Sequence, residues 1–225
     1  MENRKKIKIA KLFQAITYWP ICYLLKFFVH YKVYGQENLK GLENKAIIFA
    51  SNHTNFIDGP ISAAVMPRYK KELYPKQFFP IRFLALGKYF SPKYLLVALY
   101  VWINGSIKVW AGTGQDLNVV LGEAIDALKN NGRLWIYPEG KMSRNGKLQQ
   151  GRRGVAYLHQ QTNVPIVPVA IKDTFRILSL KTLLRTRRVS VYVGKPIYSL
   201  GDVSMEDGVA KVMSKIAGLL ENRRV

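Results

Sequence analysis

His53 and Asp58 stand five residues apart in the stretch SNHTNFID, residues 51–58, directly after the apolar run AIIFA at 46–50. A histidine can take a proton near neutral pH. A carboxylate bonded to one ring nitrogen fixes which nitrogen stays bare and stabilises the imidazolium that forms. Spacing decides whether the two can meet. At ~100° per residue, five residues turn about 500° on a helix, so the pair cannot both occupy regular turns and still face one another. A bend at the histidine is required, and a strand-to-helix loop supplies one. The alternative is that Asp58 only caps the helix entered at Gly59-Pro60 and His53 is an ordinary loop residue.

A second loop follows another apolar run, RLWIY at 133–137. Its Pro138-Glu139-Gly140 turn aims a carboxylate and several backbone N–H groups at the same end of a sheet. Lys141, Arg144, Lys147, Arg152 and Arg153 come next, with no acid among them. Such a loop can cradle an anion; the alternative is a solvated basic loop.

The elements that carry these loops alternate as an α/β chain should. The run at 46–50 reads as a strand buried on both faces, followed by a polar loop and a helix at Gly59-Pro60. Residues 106–110 (SIKVW), 133–137, 166–171 (IVPVAI) and 189–193 (VSVYV) read as further strands. Leu117, Val120, Leu121, Ala124, Ile125 and Leu128 keep helical spacing, with Thr113 or Asp116 as the cap and Asn131-Gly132 as the stop. Helices at 153–161 and 205–222 complete a largely parallel central sheet flanked by helices, whose active sites gather beyond the strand ends.

The 225 residues are 48 % apolar and 12 % aromatic, which excludes a disordered or collagen-like chain. Against 14 Asp and Glu stand 35 Lys and Arg, a formal charge of +21 that attracts phosphate-bearing partners. The single cysteine, Cys22, cannot make an internal disulfide, so a reducing compartment is expected.

Residues 1–38 read as a basic and apolar membrane-associated helical segment, and 39–225 as the α/β domain. Arg4, Lys5, Lys6, Lys8 and Lys11 precede the aromatic and apolar stretch 12–31, which Pro20 and Lys26 interrupt. A spanning helix needs ~20 mostly apolar residues, so an interfacial helical hairpin kinked at Pro20 is expected instead. The alternative is a helix packed on the core. A second apolar and basic region, 78–103, divides between core packing and membrane-boundary rings such as Tyr94 and Trp102.

Together, His-x4-Asp after one strand, Pro-Glu-Gly after a later one and VPIVPVAI at 164–171 resemble the glycerolipid acyltransferase family, typified by 1-acylglycerol-3-phosphate acyltransferases. The resemblance covers 45–197, with Asn52, Gly105 and Pro165 as supporting positions. It implies that His53 is the general base and Asp58 its orienting acid. The base deprotonates a hydroxyl of a monoacylated glycerolipid, which attacks an acyl-CoA or acyl carrier protein thioester directly. The family's FPEG block, which shapes the acceptor site, falls on Tyr137, Pro138, Glu139 and Gly140, and Lys141, Ser143, Arg144 and Lys108 join it as acceptor-binding candidates.

Two departures bear on the acceptor. Ala111 and Met142 stand where the family commonly has arginines that grip the acceptor's phosphate. Losing two bidentate forks is not conservative. Either Lys108, Lys141 and Arg144 take over, or the acceptor is not a phosphate monoester but a lysophospholipid with a substituted headgroup or another monoacylated membrane lipid; the departures favour the second. The apolar amino-terminal segment and the basic exterior lead to an expected membrane association, with an anionic membrane surface as partner and the catalytic domain on the cytoplasmic face. No nucleic acid is expected, because an apolar amino terminus does not suit that partner. His30, His53 and His159 are not at a ligand spacing, so no metal or other cofactor is expected. A different class of function is a basic lipid-binding or nucleic-acid-binding module with an inert histidine.

Overall fold

All five residues of the strand after Lys45-Ala46 are buried, because helices cover both of its faces. Phe49 points to one side with Trp135, Val167 and Val191, while Ile48 and Ala50 point to the other with Leu134 and Ile136. This two-sided burial is why AIIFA is continuously apolar and does not alternate.

The computed structural model describes residues 2–69, 71–110 and 116–221. In chain order the elements are α1 (Glu2–Phe28), β1 (His30–Tyr34), β2 (Ile47–Ser51), α2 (Asp58–Val65), β3 (Ile81–Leu86), α3 (Leu95–Ile103), β4 (Ile107–Val109) and α4 (Leu117–Lys129). They continue with β5 (Arg133–Ile136), α5 (Gly154–Thr162), β6 (Ile166–Lys172), α6 (Leu180–Leu183), β7 (Arg188–Val193) and α7 (Met205–Glu221). Among the described residues the strands form one seven-stranded sheet ordered β1-β7-β6-β2-β5-β3-β4. Pairing is parallel throughout except between β6 and β7. Helices α1 and α2 pack on the Phe49 side, and α4, α5 and α7 on the Ile48 side. The expected largely parallel sheet flanked by helices is what the chain adopts.

Several local readings change. The stretch 30–34, expected within the amino-terminal helical segment, is β1, paired in register with β7 from His30–Arg188 to Tyr34–Tyr192. The expected hairpin at Pro20 is a single helix that continues through the proline. The region 78–103 divides into β3, two short 3-10 turns and α3; Phe78, Phe79, Ile81 and Phe83 enter the core, while Leu95, Leu96, Leu99 and Trp102 are exposed. Asp116 caps α4 by accepting the Asn118 N–H at 2.9 Å. The other proposed cap, Thr113, and the last residue of the closing helix, Asn222, lie outside the described residues.

One face of α1 meets the sheet through Ala10, Gln14, Tyr18 and Leu25, all buried, and Val29 just beyond the helix is buried with them. Its opposite face carries Leu12, Ile16, Tyr23, Leu24 and Phe27, all more than half exposed. No described helix is long and apolar enough to cross a membrane. Gln14 fixes α1 against β3. Its side-chain amide donates to the Ile81 carbonyl at 2.8 Å and accepts the Ile81 N–H at 2.9 Å, acting as an extra strand partner. Gln14→Ala would leave both buried backbone groups unpaired. Urea unfolding is expected to show a loss of about 2–3 kcal/mol, whereas a change under about 0.5 kcal/mol would mean the contact is idle.

Candidate active site

The loop after β2 turns back on itself, because Asn52 is held to the neighbouring strand. Its side-chain amide donates to the Ile171 carbonyl and its oxygen accepts the Ile171 N–H, both at 2.8 Å. The chain then bends at His53 and enters α2 at Asp58, so the two residues do not both lie in regular helix. His53 Nδ1 and Asp58 Oδ2 are 3.0 Å apart.

Asp58 is fully buried and hydrogen-bonded from every side. Oδ2 also accepts the N–H groups of Thr54 at 2.7 Å and Asn55 at 2.8 Å, and Oδ1 accepts the Thr174 hydroxyl at 2.7 Å. Thr54 and Thr174 share a hydroxyl contact at 2.7 Å. A carboxylate that accepts this many donors is held in one rotamer. Since an ionised carboxylate only accepts, the proton between them belongs to Nδ1 and the lone pair to Nε2. Nε2 makes no hydrogen bond to a described residue, and the imidazole remains 18 % exposed. Such an arrangement leaves one ring nitrogen able to take a proton and a carboxylate in place to steady the imidazolium. The N–H groups that Asp58 accepts belong to Thr54 and Asn55 in the loop before α2, and none lies within the helix, so Asp58 braces the loop around His53 and does not cap α2.

Glu139 acts differently from the sequence expectation of an acid aimed at an acceptor. It is 1 % exposed, and its two oxygens accept the His53 N–H at 2.8 Å and the Gln149 N–H at 2.9 Å. Ser143 N–H returns to the His53 carbonyl at 2.8 Å, so the second loop grips the histidine backbone on both sides. The Ser143 hydroxyl serves its own loop, reaching Asn145 Oδ1 and the Lys147 carbonyl. Gly140 adopts φ +67°, and an added Cβ there would lie 2.7 Å from the Arg152 side chain; with the buried Pro138, it shapes the turn so that the Glu139 carboxylate faces inward.

Burial pushes the Glu139 carboxyl above its ordinary range, partly offset by the two N–H groups it accepts. A group with a raised folded-state pKa holds its proton more tightly when folded. Its contribution to stability is complete below the unfolded value and lost as pH rises through the folded one. The unfolding free energy of the wild type relative to Glu139→Gln should therefore decline as pH climbs from about 4.5 upward, the ordinary glutamate range. Chemical unfolding across that range checks it; a constant difference contradicts it.

The Tyr137 ring lies flat on the His53 imidazole, 3.9 Å between centroids at 13°, and restrains its tilt. Burial holds the Tyr137 hydroxyl well above the usual phenol range. Sequence reasoning missed this stack and both threonines. Thr174 is 116 residues from Asp58, and no spacing signal links them.

The remaining candidates are scattered. Lys141 and Arg144 are exposed on the second loop. Lys108 lies on the edge strand β4, with its ammonium 4.4 Å from the Trp110 ring, three strand spacings or roughly 14 Å from β2. Gly105 precedes β4 with its carbonyl accepting Arg82 Nε at 2.6 Å, and the Pro165 carbonyl accepts the Ile48 N–H at 3.1 Å. Met142 is partly buried in the second loop, while Ala111 lies outside the described residues. His159 is buried in α5 with Nδ1 2.8 Å from the Val164 carbonyl oxygen.

Two cavities flank the loop. One, of about 230 Å³, is almost wholly apolar and opens among α1, α2, β3 and α3 at Phe13, Ile21, Pro60, Ala63, Phe83 and Tyr100. Gly59 and Pro60 bring it to the residues directly after Asp58. The 78–103 region gives this cavity Ile81, Phe83 and Tyr100, and α1 and α2 contribute as much. The other, of about 530 Å³, has a mixed lining, with Asn52 and Thr54 on either side of His53, Lys147, Asp173 and Arg187 beside Leu148, Ile171 and Phe175.

A family model described as Acyltransferase matches residues 30–172. The chloroplastic 1-acyl-sn-glycerol-3-phosphate acyltransferase of Arabidopsis thaliana is 24 % identical over 214 residues, covering 91 % of this chain and 52 % of the relative. The human 1-acyl-sn-glycerol-3-phosphate acyltransferase beta is 28 % identical over 130 residues, covering 56 % and 41 %. The chain spans about half the length of the curated relatives it matches. The crystal structure of PlsC, the 1-acyl-sn-glycerophosphate acyltransferase from Thermotoga maritima, shares the fold, with a TM-score of 0.65, 19 % identity and coverage of 94 % of this chain and 82 % of that one.

Proposed function

This chain belongs to the Acyltransferase family, and from that premise we propose that it transfers a fatty acyl group from a thioester, acyl-CoA or acyl carrier protein, to a hydroxyl of a monoacylated glycerolipid. The observation that carries this reading is the His53 imidazole, tied through Nδ1 to a buried Asp58 and bare at Nε2. Nε2 takes the hydroxyl proton as the alcohol oxygen bonds to the thioester carbonyl carbon. The tetrahedral intermediate collapses by breaking the C–S bond, and the leaving sulfur takes the proton back from the imidazolium. No acyl-enzyme forms, and the step draws on no metal or other cofactor.

The apolar cavity beside Pro60 suits an acyl tail that must leave water, and Lys147 and Arg187 in the mixed cleft at Thr54 suit a charged headgroup. The exposed apolar faces of α1 and α3 suit the surface of an anionic membrane, with the catalytic domain on the cytoplasmic side where acyl thioesters are made. The acceptor is lysophosphatidic acid or another lysophospholipid. The relatives' names favour the first, and Met142 in place of an arginine favours a substituted headgroup.

A survey of monoacyl lipids with a labelled acyl thioester tests the reading. Product formed with a monoacyl glycerolipid supports it; no product with any acceptor overturns it in favour of an inert basic binding module. Met142→Arg combined with Ala111→Arg is expected to shift preference toward lysophosphatidic acid several-fold, and an unchanged ratio of rates counts against this account of the two positions.

A further inference from the structure

The connection between β6 and β7 is longer than a strand turn needs, and its leucines face outward. Leu178 is 94 % exposed, Leu180 68 %, Leu183 74 % and Leu184 62 %. The segment is nevertheless built. Ile177 anchors it in the core, and the Arg187 guanidinium donates to the carbonyls of Asp173, Phe175 and Arg176 at 2.7–2.8 Å and to the Ser179 hydroxyl at 2.9 Å. A segment held in shape by four such bonds, with its apolar side chains in water, is organised to meet something apolar.

Its charges say what. Arg176, Lys181, Arg185 and Arg188 surround the leucines, and no Asp or Glu occurs from 174 to 201. The segment also adjoins the end of α1: the Arg185 guanidinium lies 4.4 Å from the Phe27 ring centroid, and the His30 N–H donates to the Arg187 carbonyl at 2.8 Å. Leu24, Phe27 and Phe28 are themselves exposed there, so the two apolar surfaces are continuous. A second copy of this chain would bring its own positive patch against this one. A bilayer offers acyl carbon for the leucines and phosphates for the arginines at adjoining depths.

We propose that the β6–β7 connection is a second membrane-contact element, seating Leu178, Leu180, Leu183 and Leu184 in the interface of an anionic bilayer beside the carboxyl end of α1. The assignment rests on the reading of α1 as a bilayer-facing helix, and it adds an element that the amphipathic pattern of the amino terminus does not reveal. It extends the bilayer-facing surface beyond the carboxyl end of α1.

Flotation with vesicles of phosphatidylcholine alone and of phosphatidylcholine with phosphatidylglycerol tests it. Leu180→Ser, Leu183→Ser and Leu184→Ser together should weaken binding to the anionic vesicles by at least about tenfold. Lys181→Glu with Arg185→Glu should weaken binding to the anionic vesicles and leave binding to the neutral ones unchanged. Both variants should keep wild-type thermal unfolding and wild-type turnover of a short, water-soluble acyl thioester and acceptor. Wild-type protein that binds neither vesicle overturns this proposal and the membrane reading of α1 together. A wild type that binds while the leucine variant binds equally well overturns this proposal alone. So does a leucine variant whose sedimentation shows a lost dimer, since the patch would then be a contact between copies.

Discussion

His53→Ala is expected to lower acyl transfer by about a thousandfold, the magnitude that removal of a positioned general base carries. The loss should fall on kcat with the acceptor KM little changed, because nothing in the geometry makes the imidazole a binding group. The fold should survive: His53 is held by its backbone, through Glu139 and Ser143, and its ring is partly exposed. Thermal unfolding beside a labelled-thioester assay separates the two effects. Turnover within about tenfold of wild type would remove the histidine from the chemistry.

Asp58→Asn probes charge with little change of shape. Three donors converge on Oδ2, namely Nδ1 of His53 and the N–H groups of Thr54 and Asn55, while Oδ1 faces only the Thr174 hydroxyl. An asparagine therefore seats its carbonyl oxygen at the Oδ2 position and its NH2 toward Thr174, whose hydroxyl can turn to accept it. The opposite orientation would press NH2 against two backbone N–H groups. The histidine tautomer is preserved, and what is lost is the negative charge that stabilises the imidazolium. A drop of about a hundredfold in kcat is expected, with stability reduced by about 1–3 kcal/mol from weaker bonds to a buried neutral group. Asp58→Ala should cost more on both counts, because the Thr54 and Asn55 N–H groups lose their acceptor as well. Equal turnover in wild type and Asp58→Asn would leave the carboxylate as a brace of the 52–58 loop only.

Much of this framework is legible in the sequence where one physical cause acts alone. AIIFA is apolar because helices cover both faces of β2, and α4 shows its period because only one face is buried. Readings fail where two causes overlap. The strand HYKVY follows α1 after a single residue and shares its aromatic and basic character, so no change of composition marks the boundary at Val29. Likewise β3 sits inside a long apolar region whose later part is an exposed helix. Its one charge, Arg82, is buried yet paired with the Gly105 carbonyl and Glu123, a pairing only the folded chain displays.

In the site, the His53 and Asp58 pair was legible because spacing and a loop sufficed to bring them together. The backbone grip of Glu139 was not legible, since its type suggests an acid facing a ligand while both of its oxygens bind backbone. Thr174 and the Tyr137 stack arise from strands that are neighbours only after folding, so their sequence distance hides them.

The most direct test of the central claim is nitrogen NMR of the His53 ring in protein labelled at histidine, read at a pH where the imidazole is neutral. The account predicts a proton on Nδ1 and a bare Nε2, with the Nδ1 signal moving when Asp58 is replaced by asparagine. A proton on Nε2 with Nδ1 bare would contradict it, because the nitrogen meant to receive the alcohol proton would already be occupied.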